Sequence, residues 1–140
     1  VGRILAIDYG RKRCGIAVTD PLQIIANGLQ TVPSAALMDF LRDYTNREKV
    51  DVFVVGYAKH LDSTDSESMQ YINPFVKKLQ ATYPNIPVKM VDERFTSKMA
   101  FQTMIDGGMK KKQRQDKAMI DTISATLILQ SYMQQQTFLK

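Results

Sequence analysis

The sequence predicts an α/β fold: a mixed five-stranded sheet, an antiparallel meander continued by parallel βα units, flanked by helices. Three observations carry this reading. Two β-branched apolar runs near the start are separated by a short gap that contains a glycine, the pattern of a hairpin. A nearly all-apolar run at residues 51–56 reads as a strand buried on both faces, as in a parallel sheet. Between and after these strands, apolar residues recur at helical spacing.

Taken in order, residues 3–8 and 14–19 form the hairpin, with Tyr9-Gly10-Arg11-Lys12-Arg13 as its loop. Asp20-Pro21 turns the chain into a third strand at 24–32, where Asn27-Gly28 marks a bulge or local turn. Ser34 follows Pro33 as a candidate N-cap, and Leu37, Phe40, Leu41 and Tyr44 give the first helix its apolar stripe. After the 51–56 strand and a polar stretch at 57–66, a second helix spans about 67–82, with Met69, Ile72, Val76 and Leu79 on one face. Pro84 and Pro87 bracket its exit toward a short strand at 88–91. Thr96 or Ser97 caps a third helix stopped by Gly107-Gly108. The basic stretch 109–116 reads as a loop. A last helix carries Ile120, Ile123, Ala125, Leu127, Ile128, Leu129 and Tyr132, and the Gln-rich stretch after Met133 is expected to fray. The order βββ-α-β-α-β-α-α is that of the ribonuclease H-like fold.

At 140 residues, the chain is expected to form one domain, residues 1–140. No apolar run approaches the roughly 20 residues that cross a bilayer, and the first residues are too soon charged for a signal peptide. A cytoplasmic protein with no membrane association is expected. Cys14 is the only cysteine, which excludes an internal disulfide, and its place in an apolar run reads as a core strand position. His60 is the only histidine, which excludes a multi-histidine metal site. The formal charge of +5 gathers in Arg11-Lys12-Arg13 and around Lys110-Lys111-Lys112, Arg114 and Lys117, which favours a polyanionic partner.

Three carboxylates stand where apolar residues belong. Asp8 ends a buried-looking strand, at the edge where ligands gather in open α/β sheets. Gly10 leaves room there for a phosphate to approach the backbone, and Arg11 and Lys12 are placed to contact its oxygens. Asp121 interrupts a strongly apolar helix, one turn before the small pair Ser124-Ala125. A carboxylate on the buried side of that helix requires a partner or a metal, whereas one pointing outward requires neither. In Asp92-Glu93-Arg94 the two acids face opposite ways, and composition does not choose between them. Converging carboxylates would suit Mg²⁺, which takes oxygen ligands and leaves positions for substrate phosphate.

Ile7-Asp8-Tyr9-Gly10 with Gly15-Ile16-Ala17-Val18, then Asp92-Glu93-Arg94-Phe95-Thr96-Ser97, then Asp121-x-x-Ser124-Ala125 with Ile128-Leu129-Gln130-Ser131-Tyr132 occur in this order. Over essentially the whole chain they resemble the YqgF (RuvX) family, pre-16S rRNA nuclease or Holliday junction resolvase-like proteins. The resemblance implies a ribonuclease H-like fold and a nuclease dependent on Mg²⁺ or Mn²⁺. It implies processing of the 5′ end of pre-16S rRNA in the bacterial cytoplasm, or cleavage of four-way DNA junctions. Asp8, Glu93 and Asp121 match the catalytic, metal-holding acids. Gly10 and Gly15 match the hairpin glycines and Arg94 the motif arginine. Arg11, Lys12, Lys111, Lys112 and Arg114 are expected to bind substrate. Structured RNA, branched DNA and a ribosomal component are the expected partners, for a monomer or weak dimer. The family's Gly-x-Pro segment reads Gly56-Tyr57-Ala58 here, a departure that bears on substrate preference.

Two other classes compete. Asp-x-Gly followed by a second glycine also resembles the phosphate loop of the sugar kinase, Hsp70 and actin group, but those proteins pair two such domains. A noncatalytic RNA-binding module would keep the basic residues and leave the acids idle, and binding without metal-dependent cleavage identifies it.

Overall fold

A computed structural model describes residues 2–10, 12–57, 69–92 and 117–139. Its strands are β1 (Arg3–Tyr9), β2 (Arg13–Thr19), β3 (Ala26–Pro33), β4 (Val50–Tyr57) and β5 (Val88–Asp92). Helices α1 (Leu37–Arg47), α2 (Met69–Thr82) and α3 (Lys117–Leu139) accompany them. The sheet order is β3-β2-β1-β4-β5. β1, β2 and β3 pair antiparallel, and β4 and β5 join parallel to β1. This is the ribonuclease H-like arrangement predicted from the element order. The expected third helix, near 97–106, and the basic stretch 109–116 lie outside the described residues.

Strand alternation divides the core into two layers. Leu5, Ile7, Ile16, Phe53 and Val55 face α1 and α2, where Leu37, Leu41, Ile72 and Leu79 complete the larger layer. Ile4, Ala6, Ala17, Val54 and Val91 face α3 and meet Ala125, Ile128, Leu129 and Tyr132. Alanines on the sheet, with Ser124 and Ala125 on the helix, bring α3 close to the strands.

Ser34 and the Gln-rich stretch depart from expectation, whereas of the two forms expected at Asn27-Gly28 the bulge is present. Ser34 does not cap α1. It opens a 3₁₀ turn (Ser34–Ala36), and its hydroxyl donates to the Gly10 carbonyl instead. Pro74 lies inside α2, where it removes one helical N–H donor. The Gln-rich stretch remains helical through Leu139. The Asn27-Gly28 irregularity is a bulge: Ile16 pairs with Gln30 but Ala17 pairs with Gly28, leaving Leu29 over.

Candidate nucleic-acid-cleaving site

Asp8 is the next-to-last residue of β1, the central strand. Alternation places it with Ile4 and Ala6 on the α3 side of the sheet. Its antiparallel partner is Gly15. On the other side Ile7 pairs with Val55, so the next step sets Asp8 level with Gly56. The carboxylate therefore rises from the sheet between two residues without side chains, each about 5 Å away. A hydrophobic neighbour on either side would have filled that space, as Ala17 and Val54 do one step further down.

The row continues in both directions. Gly15 pairs with Thr31 of β3, and Gly56 pairs with Val91 of β5. The hydroxyls of Thr31 and Thr122 are 2.7 Å apart, a hydrogen bond that fixes α3 above this row. Position 121 immediately precedes Thr122, so the backbone that carries Asp121 is held at the level of Asp8. At the far end, Val91 is two residues before Glu93. Thus Asp8 is at the centre of the row, Asp121 enters over one end through its helix backbone, and the strand leading to Glu93 leaves at the other.

Glu93, Arg94, Arg11, Lys111, Lys112 and Arg114 lie outside the described residues, as does His60. Among the described residues no three His, Cys, Asp or Glu side chains converge. Asp8 is the one member of the acidic trio whose side chain is described.

Gly10 is fixed by its surroundings. A Cβ there would stand 2.6 Å from the Arg13 carbonyl oxygen. Its own carbonyl accepts from Ser34, and the Ser34 amide donates to the Lys12 carbonyl at 3.0 Å. These bonds tie the hairpin loop to the start of the 3₁₀ turn and leave the Lys12 side chain exposed. Cys14 is fully buried beneath the loop, with its sulfur 3.3 Å from the Ser34 hydroxyl, as a core strand cysteine should be. Sequence reading missed Thr31 and Thr122. Their signal is weak, since a threonine beside an acid is common on any helix surface, and only strand register shows that they meet.

The donor chemistry fits a hard cation. A carboxylate with open flanks suits Mg²⁺ or Mn²⁺, and the only thiol is buried on the opposite side of the sheet.

Comparison with known proteins adds the following. The family model RuvX, described as Holliday junction resolvase, matches residues 2–135. A protein of Phocaeicola vulgatus named "Putative pre-16S rRNA nuclease" is 55% identical over 139 residues, covering 99% of this chain and 100% of its own. One of the same name from Porphyromonas gingivalis is 57% identical over 133 residues, 95% of this chain and 96% of its own. Among solved structures, T. thermophilus RuvC in complex with Holliday junction substrate superposes with a TM-score of 0.54 at 15% identity. That match covers 95% of this chain and 96% of the other, and is a likeness of fold.

Proposed function

The chain belongs to the RuvX family, and we propose from this that it is a nuclease that hydrolyses phosphodiester bonds and processes the 5′ end of pre-16S rRNA in the cytoplasm. The observation that carries the reading is the placement of Asp8 on the central strand, flanked by Gly15 and Gly56, in the row of residues at whose β3 end Thr31 holds the helix turn of position 121. The two glycines beside it leave the width that a phosphate needs to approach.

In this reading Asp8, Glu93 and Asp121 hold Mg²⁺ or Mn²⁺. Bound there, the metal supplies a water of lowered pKa and positive charge for the phosphate oxygens. The protein's own residues position the substrate. Gly10 lets the sugar-phosphate backbone approach the hairpin, and Lys12 with Arg11 and Arg94 binds phosphate oxygens. Lys111, Lys112 and Arg114 steer the strand electrostatically. Thr31, by fixing α3 through Thr122, sets the height of Asp121 over the sheet.

The test is cleavage of pre-16S rRNA fragments, single-stranded RNA and four-way DNA junctions in Mg²⁺ or Mn²⁺. Asp8→Asn should retain the wild-type circular dichroism spectrum and lose at least ~10²-fold in rate, since even residues that merely support a metal ligand cost up to that much. Preferential cutting of the junction would move the substrate from RNA to branched DNA. Undiminished cleavage by Asp8→Asn would remove this site from the chemistry.

A further inference from the structure

Behind the strand end that carries Asp8 lies a second feature. A cleft of about 600 Å³ opens on the α1/α2 side of the sheet, within the range of small-ligand sites. Its walls include Tyr9, Leu37, Met38, Pro74 and Phe75. The Tyr9 and Phe75 rings stack with centroids 4.4 Å apart and planes 16° from parallel. Asp39 and Lys78 also line it. Lys78 makes no ion pair among the described residues, whereas Asp39 meets Arg42 at 3.4 Å in solvent.

We propose that this cleft receives the base of one unpaired nucleotide adjacent to the phosphate held at Asp8. The proposal rests on the nuclease reading and names the feature of the substrate that the site selects. Tyr9 directly follows Asp8, and alternation sends the two side chains to opposite faces of the same strand end. A strand of nucleic acid crossing that end sets its phosphate on one side and can drop the neighbouring base over the other. Gly10, the next residue, has no side chain to obstruct the crossing. Phe75 is buried and backs the half-buried Tyr9 ring, so Tyr9 is the aromatic surface the cleft presents. Aromatic rings are the usual platform for unstacked bases, and stacking tolerates any base identity. Lys78 supplies a cation for the flanking phosphate, and the Asp39 carboxylate can accept a hydrogen bond from an exocyclic amino group. A base held in a duplex cannot enter, so the cleft discriminates unpaired from paired RNA.

The experiment measures binding in EDTA, where cleavage plays no part. A short single-stranded RNA is scanned with one abasic nucleotide at each position in turn, against wild type, Met38→Trp and Lys78→Glu. Met38→Trp fills the cleft, and Lys78→Glu, on an exposed position of α2, serves if the first variant misfolds. One abasic position should weaken wild-type binding about tenfold. Each variant should weaken binding of the intact RNA by a similar factor, yet bind the RNA abasic at that position no worse than wild type does. A flat scan, no binding of the RNA, or equal losses for intact and abasic RNA would overturn the cleft. Metal-dependent cleavage with a flat scan removes the cleft and leaves the nuclease. A position-specific scan without cleavage does the reverse.

Discussion

Asp20 organises the connection between β2 and β3 with one carboxylate. Its oxygens accept the amides of Ile24 and Ile25 at 2.8 Å each, and that of Leu22 at 3.2 Å. These bonds, led by that from Ile25, hold the carboxyl below its ordinary pKa of 3.8. A carboxylate whose folded pKa is depressed stabilises the fold above the unfolded pKa, and that contribution is lost as pH falls through the folded value. The amide proton shifts of Ile24 and Ile25, followed by NMR through acid, should therefore titrate together with a midpoint below 3.8. A midpoint at or above that value would mean the turn is held by something else. Among the described residues Gln23, at φ 61°, is the non-glycine residue in the left-handed region, and its side-chain Nε2 donates to the Gly2 carbonyl at 2.6 Å. The turn itself was legible in Asp20-Pro21. The left-handed glutamine was not, because its strain is offset by a hydrogen bond to a residue 21 positions away along the chain.

At the scale of elements, the seating of α3 on β3 governs the site. A Cβ at Gly28 would come 2.6 Å from the Thr122 methyl and 3.2 Å from the Thr126 hydroxyl. Threonine is stiff at χ1, so the helix rather than the side chain must give way. Gly28→Ala should cost about 1–3 kcal/mol of stability in a denaturant titration. Because the shift falls on the turn that carries Asp121, cleavage should fall in addition, at temperatures where the variant is fully folded. Normal activity in the folded variant would separate helix seating from catalysis. The helix itself was readable from its apolar residues, and β4 from its unbroken run. What local pattern could not show was register. Gly15 and Gly56 are separated by 41 positions in the sequence, and only the pairing of both strands with β1 makes them the two neighbours of Asp8. Ser34 misled for the same reason. Its hydroxyl had a local use as a cap, and a hairpin carbonyl 24 residues earlier competed successfully for it.

Over the whole molecule, the excess of 19 Lys and Arg over 14 Asp and Glu makes a basic protein, suited to a phosphate backbone. Among the described residues no helix is long and apolar enough to cross a membrane. Replacing Lys111, Lys112 and Arg114 together with Gln should weaken RNA binding and flatten its dependence on salt. The slope of log K against log salt should drop by about one for each phosphate that the protein no longer neutralises. An unchanged slope would deny these residues a steering role. The strand order and the two-sided packing followed from the order of elements, whereas the cleft behind Tyr9 needed α1 and α2 brought together in space. The layer over the Asp8 face has one further consequence. Its helix is the last described element, while all five strands precede it. On the ribosome, the five strands can pair once residue 92 has emerged, but the α3 layer is completed only when residues 117–139 follow. A half-made or truncated chain thus leaves Ile4, Val54 and Val91 without their α3 partners and lacks the backbone of position 121 at the level of Asp8. It presents a sticky surface to chaperones before it presents a cutting edge to RNA.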